Sequence, residues 1–192
     1  QQSPFRLEVN LYTIQIENLL IARRIDNDQF IGINAGETDH SGIEVSSLIP
    51  FINNNDNKLN INLSGNYNLH RFDEFVERGV DFSGNELTNV PEYEYSTILN
   101  YNWCDRLFLN LNTLGVGPIP VDDANSDYTD AYLVSHFQGS YKLTLAEHWN
   151  LSINAGVNNI FNKAYVASIV PNAVGFGGNA PRNFYPSEER NW

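Results

Sequence analysis

The stretch KLNINLSGNYNLH, residues 58–70, alternates between apolar and polar side chains almost without interruption. The apolar positions share one parity: Leu59, Ile61, Leu63, Tyr67 and Leu69. Successive side chains of a strand point to opposite faces, so the stretch predicts a strand with one apolar and one amide-rich face. In a soluble sheet the apolar face would cover a dry core, whereas in a membrane β-barrel it would face lipid.

Composition and charge exclude several classes of protein. The chain has 192 residues and a formal net charge of -12, so it lacks the basic surface that nucleic-acid binding needs. Its apolar runs are far shorter than the roughly 20 residues of a membrane helix. The single cysteine, Cys104, permits no internal disulfide. The chain contains no methionine and opens without a signal-peptide pattern, so we expect a processed protein or a fragment.

Seven segments read as strands, and none carries a sustained helical period. They cover about 5–25, 30–51, 58–70, 91–103, 106–117, 128–143 and 148–162. In the first segment the apolar parity changes between Leu11 and Tyr12. One extra residue in a strand would cause such a change, so we predict a β-bulge near 11–12. The sequence predicts an all-β chain.

Short and long connections alternate along the chain. The short ones are 52–57, 104–105 and 145–148, and the long ones are about 71–90, 118–128 and 163–189. A soluble sandwich has no reason to place every long loop at one end. A transmembrane barrel has brief periplasmic turns and long extracellular loops, so the alternation favours a barrel.

Aromatic residues mark both ends of the apolar faces. Beside the short turns lie Phe51, Trp103, Tyr141 and Trp149, and toward the long loops lie Tyr93, Tyr128 and Phe161. Rings with a polar edge favour the two membrane–water interfaces and form girdles at both ends of a barrel. Tyr and Trp are also good strand residues in any sheet, which is the alternative explanation. We predict an aromatic girdle from these seven residues.

The polar face indicates which solvent each side meets. In segments 58–70, 106–117 and 148–162 this face is rich in asparagine and almost uncharged. Such amides suit a wet, crowded lumen in which they bond one another and water. The apolar face stays uncharged for about nine to eleven residues in each strand, the length that a tilted strand needs to cross hydrocarbon. We therefore predict lipid outside and water inside.

Four stretches resemble parts of TonB-dependent outer-membrane receptors. GVNNIFNKAYVASIV (156–170) resembles the Gly-x-x-Asn-Leu-Phe-Asp-Lys-x-Tyr motif that ends the family's penultimate strand, and NFYPSEERNW (183–192) resembles its Tyr-Pro-x-x-x-Arg segment. The stretches 34–51 and 86–101 are similar to two earlier strands of the family. The matching residues of the tail are Gly156, Asn159, Ile160, Phe161, Asn162, Lys163, Tyr165, Tyr185, Pro186 and Arg190, with Ile for Leu and Asn for Asp.

The resemblance implies a fold and a function. Residues 1–192 would form the carboxy-terminal portion of an antiparallel up-and-down barrel of about 22 strands, with the plug, the upstream strands and the last strand absent. The whole protein would lie in the bacterial outer membrane, in contact with lipid and lipopolysaccharide. It would import a scarce ligand such as a ferric siderophore, with energy relayed by the TonB complex through the plug.

The sequence carries no catalytic constellation, and we expect neither an enzyme, a cofactor nor a metal site. The histidines are scattered and lack partners at ligand spacing. Extracellular loop residues are the candidates for contact with an anionic chelate, by charge and stacking. These candidates are Arg71, Arg78, Arg182 and Tyr185. Alternatively, the arginines pair with the surrounding acids or with lipopolysaccharide.

Two other classes of protein stay open at this point. A small eight-stranded outer-membrane barrel with a structural or adhesive role would have seven strands if its last strand were lost. A soluble carbohydrate-binding β-sandwich would also show alternating strands, and its apolar faces would meet in a dry centre.

Overall fold

The computed structural model of the chain describes residues 5–26, 29–34, 36–77, 79–146, 149–173 and 184–192. These residues form strands and turns, and none of their segments is a helix that could cross a membrane. The strands are β1 (Arg6–Ile16), β2 (Leu20–Asp26), β3 (Gln29–Asn34), β4 (Glu37–Asn53), β5 (Asn57–Glu74), β6 (Val76–Glu77), β7 (Val80–Asp81), β8 (Tyr93–Trp103), β9 (Leu107–Val116), β10 (Tyr132–Ala146), β11 (Trp149–Val157), β12 (Val166–Ile169) and β13 (Phe184–Pro186).

Seven strands of the described chain form one antiparallel sheet in the order β1-β4-β5-β8-β9-β10-β11. Each long strand pairs with the next long strand along the chain, as in an up-and-down barrel. Strands β1 and β11 are the two edges, so the described strands form an open wall and not a closed barrel. The other described strands form three separate two-stranded sheets: β2–β3, β6–β7 and β12–β13.

Odd-numbered residues occupy one face of this sheet from edge to edge. In one row Leu11 pairs with Ile43 and Ile43 with Tyr67, and Tyr67 in turn pairs with Tyr93. The same parity continues through β9, β10 and β11, as in the pair Tyr141 and Ile153. The alternation that each strand shows separately therefore adds up to two continuous surfaces, which we call the odd face and the even face.

The odd face carries exposed hydrophobic side chains. Leu11 is 78% exposed, Ile153 53% and Trp149 72%, and within the described residues no second sheet covers them. Few described hydrophobic residues are buried, and these lie toward or in the long connections: Phe72, Phe75, Val116, Val121, Val134 and Ile169. The β-sandwich alternative needs a dry centre between two layers, and the structure contradicts it.

Glycines of the odd face make room for tyrosines of the neighbouring strand. Tyr95 pairs with Gly115, and a Cβ on Gly115 would lie 2.2 Å from the Tyr95 ring. Similarly, a Cβ on Gly117 would lie 2.9 Å from the Tyr93 ring. Each ring therefore covers the backbone of a strand segment that has no side chain of its own on this face.

The predicted β-bulge near residues 11–12 is wrong. Strand β1 pairs with β4 from Arg6 to Ile16 without any shift of register. The apolar residues after the parity change therefore lie on the even face. For Tyr12 the physical reason is a contact between strands, because its hydroxyl bonds polar side chains of β5 on that face.

The first two predicted segments are each divided in the structure. Strand β1 ends before Asn18, which adopts a left-handed φ of 56°, and a separate hairpin of β2 and β3 follows before β4 begins. The described residues between β1 and β4 thus form a long connection at the same end as 75–92 and 117–131. The short turns 54–56 and 104–106 lie at the other end, as predicted, whereas the predicted connections 145–148 and 163–189 lie partly outside the described residues.

Candidate ligand-binding region of the barrel wall

The even face presents amides along several neighbouring strands. Asn60 of β5 pairs with Asn100 of β8, which pairs with Asn110 of β9, and the Asn110 amide donates to Asn100 Oδ1 at 2.9 Å. Among the described residues, the Oδ1 atom of Asn112 is the one buried side-chain oxygen or nitrogen without a hydrogen-bond partner. A face of this kind needs water or polar partners in front of it, which agrees with the predicted lumen.

A small hydrophobic cluster supports the connection between β5 and β8. Phe72 and Phe75 are 5% and 1% exposed, and their ring centroids lie 4.7 Å apart. Phe82 and Leu87 from the returning chain and Leu19 from the first connection pack against them. Main-chain bonds between Phe72 and the segment 84–85 hold the returning chain beside β5. This cluster fixes the connection 75–92 against the end of β5.

Asp123 joins three of the long connections. This carboxylate is only 7% exposed, and it accepts hydrogen bonds from Thr88 at 2.6 Å and from the Asn172 amide at 2.9 Å. The Asp123 carbonyl accepts a further bond from the Asn85 amide at 2.8 Å. Asp123 itself lies in 117–131, and its partners come from 75–92 and from the chain after β12. It therefore holds these three connections together, and we call them the loop cluster.

A second contact between the same loops is reciprocal. The Glu86 backbone N–H donates to Asn125 Oδ1 at 2.7 Å, and the Asn125 amide donates back to the Glu86 carbonyl at 3.0 Å. Asn125 has a left-handed φ of 50°, a conformation that asparagine tolerates better than most residues. The loops are therefore ordered by specific amide bonds.

The tail motif has a structural role. Asn159 is 4% exposed, and its side chain bonds the backbone N–H and the carbonyl of Lys163, each at 2.9 Å. The Asn162 side chain accepts from the Arg190 N–H at 2.8 Å, and the Arg190 guanidinium donates to the Ile160 carbonyl at 3.3 Å. The two parts of the motif thus bond one another, which explains why these residue types occur together.

The structure separates the described candidates for ligand contact. Arg71 is exposed on the odd face of β5, and its guanidinium donates to the Gly84 carbonyl at 3.4 Å. Tyr185 is 55% exposed on β13, which belongs to a different sheet. Arg78 and Arg182 lie outside the described residues. The four candidates stay a prediction.

Acidic and phenolic groups surround Arg71. The Tyr67 hydroxyl donates to the Glu92 carboxylate, and the Tyr128 hydroxyl lies 3.3 Å from Glu86 Oε2. Burial, and after it the negative charge of Glu86, raises the pKa of Tyr128 above its ordinary value of 10.0. Tyr128 therefore remains a neutral hydrogen-bond donor at any physiological pH.

Five of the seven proposed girdle residues lie on strands of the sheet, whereas Tyr128 and Phe161 lie in connections outside it. Phe51, Trp103 and Trp149 lie near the short turns and are 68%, 42% and 72% exposed. At the other end Tyr93 is 36% exposed, Tyr128 42% and Phe161 74%. Tyr141, which pairs with Leu107, belongs to the odd face near the short turns. The aromatic girdle, like the ligand contacts, stays a prediction.

Sequence analysis missed one cluster on the even face. His40 and His70 are cross-strand partners with ring centroids 4.8 Å apart, and the Tyr12 hydroxyl lies 2.9 Å from His70 Nε2. In the sequence these histidines are 30 positions apart. The signal that could have found them is their shared parity on two strands joined by a short turn, together with the register of that turn.

Comparison with known proteins identifies the family. Residues 1–160 match the family model described as TonB dependent receptor-like, beta-barrel. The chain belongs to the TonB-dependent receptor barrel family. As a TonB-dependent receptor barrel it is a protein of the bacterial outer membrane, and the predicted fold class and location are confirmed. No curated protein matches the chain at a significant level.

Solved structures show the same fold at low sequence identity. The siderophore receptor PiuA from Acinetobacter baumannii is 18% identical with a TM-score of 0.67, and the match covers 97% of this chain and 25% of PiuA. BauA, the ferric preacinetobactin receptor of the same species, is 16% identical with a TM-score of 0.68, and the match covers 97% of this chain and 26% of BauA. The ferric yersiniabactin uptake receptor FyuA from Yersinia pestis is 18% identical with a TM-score of 0.68, and the match covers 99% of this chain and 27% of FyuA. The TonB-dependent receptor barrel studied here thus spans about a quarter of the length of these receptors.

Proposed function

We propose that the protein containing this chain imports a scarce extracellular ligand, most simply a ferric siderophore, with energy relayed by the TonB complex. In this proposal the chain supplies part of the barrel wall and several extracellular loops. It performs no chemical conversion of the ligand.

One observation carries the proposal: the wall has one apolar face and one amide-rich face, in a chain that belongs to the TonB-dependent receptor barrel family. A wet lumen of this kind can conduct a polar chelate, which lipid would exclude. The three solved structures above are receptors for a siderophore, for ferric preacinetobactin and for ferric yersiniabactin, which supports iron chelates as the first ligand class to test.

The family match also weighs against a small eight-stranded barrel. Its model covers residues 1–160, and the similar solved structures are about four times as long as this chain. A structural or adhesive barrel has no need for an ordered, carboxylate-linked loop cluster at its mouth. The receptor proposal gives that cluster a role, since binding by loops requires loops that hold a defined shape.

Ligand contact by Arg71, Arg78, Arg182 and Tyr185 is part of the proposal. Arg71 lies on the odd face at the extracellular end of β5, where its guanidinium is also placed to pair with lipopolysaccharide phosphates, the alternative given by the sequence. Tyr185 is exposed and is free to stack on an aromatic chelator.

Uptake of radiolabelled iron tests the function. The gene encoding the full-length protein is deleted, and cells are supplied with catecholate, hydroxamate or phenolate chelates of ⁵⁵Fe. We expect the deletion to abolish uptake of one chelate class, a plasmid copy to restore it, and loss of TonB to abolish it again. Uptake of every chelate at the parental rate by the deletion strain would contradict the proposal.

A further inference from the structure

Three strands bring imidazole and phenol groups together on the even face. Tyr12 comes from β1, His40 from β4 and His70 from β5. The two imidazole rings meet edge to face at an interplanar angle of 65°, with centroids 4.8 Å apart. We call these three residues the histidine–tyrosine cluster. They lie at the extracellular end of the strands, close to the loop cluster.

The backbone is shaped to admit this cluster. Gly42 on β4 pairs with Tyr12, and a Cβ at that position would lie 2.6 Å from the Tyr12 hydroxyl oxygen. Without a side chain at Gly42 the phenol can cross β4 and reach the side chains of β5. Its hydroxyl lies 2.9 Å from both Asn68 Oδ1 and His70 Nε2.

Each imidazole is half-buried and held by a hydroxyl. His40 Nε2 lies 3.0 Å from Thr38 Oγ1, and Thr38 itself is only 1% exposed. His70 Nε2 is held by Tyr12, as described above. Hydroxyl bonds of this kind fix ring orientation and leave a second nitrogen on each ring. The rings therefore stand close together in a fixed orientation in the wall of a wet lumen.

Adjacent imidazoles are suited to one kind of ligand. Neutral imidazole nitrogens are preferred donors for Zn²⁺, Cu²⁺ and Ni²⁺. Two nitrogens bound to one tetrahedral Zn²⁺ lie roughly 3.4 Å apart, for Zn–N bonds of about 2.0–2.1 Å. Rings whose centroids are 4.8 Å apart can present nitrogens at that separation. Among the described residues no group of three or more His, Cys, Asp or Glu gathers at one point, so water supplies the remaining donors.

We propose that the histidine–tyrosine cluster binds a divalent transition metal ion, with His40 and His70 as its ligands and Tyr12 as the residue that holds the His70 ring in position. The remaining coordination positions face the lumen and take water. This site is separate from the proposed ligand contacts at Arg71 and Tyr185, and it needs neither TonB nor transport to be occupied.

Zinc binding by the full-length protein in detergent, with any affinity tag removed, tests the proposal. We expect the unmodified protein to bind one more Zn²⁺ than the H40N/H70N double variant in equilibrium dialysis. Each single variant, His40→Asn or His70→Asn, should weaken that binding by at least about tenfold. Tyr12→Phe keeps both imidazoles and should weaken it less than either.

His136→Asn is the matched control. His136 also lies on the even face, where its Nδ1 atom is 3.3 Å from Asn158 Oδ1, but no described histidine is its cross-strand partner. Zinc binding should be unchanged in this variant. A shift of the folded band on an unheated gel monitors folding of every variant.

Two results would overturn the metal site. One is equal zinc binding by the unmodified protein and the double variant, and the other is an equal loss in His136→Asn. The outcome is independent of the uptake experiment, because zinc binding is measured on purified protein. Binding of zinc in a protein that takes up no iron chelate would leave the metal site standing and remove the proposed function.

Discussion

Hydrophobic side chains are exposed in the sheet but buried within the loop cluster. In the sheet, Leu11, Ile153 and their neighbours on the odd face are exposed within the chain, so their burial depends on lipid. In the loops, Phe72 and Phe75 are buried by residues of the same chain. The wall therefore depends on the membrane to cover its apolar face, whereas the loop cluster carries its own core.

The polar groups of the two regions differ in the same way. Amides of the even face bond one another across strands and leave Asn112 Oδ1 without a partner in the described part of the chain. In the loops, Asp123 is buried and fully engaged by Thr88, Asn85 and Asn172. The wall therefore needs water in front of it, while the loop cluster satisfies its own polar atoms.

Removing the core of the loop cluster should have the largest effect. Phe75→Ala deletes a side chain that is 1% exposed, and such a change costs about 3–5 kcal/mol. We expect amide hydrogen exchange to accelerate over residues 72–87 while the sheet stays protected. Val80→Ala, in the same loop at a residue that is 53% exposed, is the control and should leave exchange unchanged. Equal acceleration in both variants would show that the loop has no core of its own.

Placing a charge on the odd face should be nearly as costly. Leu63→Arg puts a guanidinium where we place lipid, which costs about 2–4 kcal/mol near the middle of a bilayer. Its neighbour Asn62 points to the even face, so Asn62→Arg should change the free energy of unfolding far less. Urea unfolding in liposomes measures both. A larger loss for the Asn62 variant would reverse our assignment of lipid and lumen.

Breaking the carboxylate link should have an intermediate effect confined to the loops. Asp123→Ala removes a buried carboxylate and the two hydrogen bonds that it accepts. Because the cost of burying that charge is removed as well, we expect a net loss of about 1.5–3 kcal/mol. We expect faster cleavage of residues 117–131 in limited proteolysis, with strands β8 and β9 still resistant. Asp130→Ala, at an exposed carboxylate in the same connection, should digest at the parental rate. Unchanged digestion of the Asp123 variant would mean that the loops are held by other contacts.

The smallest effect is expected at a periplasmic turn. The Asn102 side chain bonds Asp105 at 2.7 Å, and this bond, followed by the charge of Lys58, lowers the pKa of Asp105 below 3.8. A carboxyl with a lowered folded pKa stabilises the folded state above its unfolded pKa, and that contribution is lost as the pH falls through the folded pKa. Asn102→Ala should raise the pKa of Asp105 in a titration followed by NMR. An unchanged value would contradict the assigned cause.

Much of the wall could be predicted from the sequence. Alternation is a local property, so residues 58–70 identify a strand and its two faces without knowledge of its neighbours. Charge-free apolar faces and alternating loop lengths then favoured a barrel, and the tail motif pointed to the family. The structure gives the motif a physical basis, because Asn159 holds the backbone of Lys163 and Asn162 accepts a hydrogen bond from Arg190.

The errors arose where a local pattern depends on a distant partner. The change of parity after Leu11 suggested a bulge, yet β1 is regular and Tyr12 turns to the even face to meet Asn68 and His70. His40 and His70 looked isolated because their contact depends on the register of β4 against β5. Two of the four proposed ligand contacts, Arg78 and Arg182, lie outside the residues that the structure describes.

The sequence by itself determined that the chain forms alternating strands, which side of each strand is apolar, and at which end the long connections lie. These follow from side-chain types at neighbouring positions. Only the tertiary structure decided which residues meet: that odd positions align across the whole sheet, that Asp123 joins three loops, and that two histidines face one another. Contacts between strands depend on register, and register is set by turns and cross-strand packing and not by any single strand.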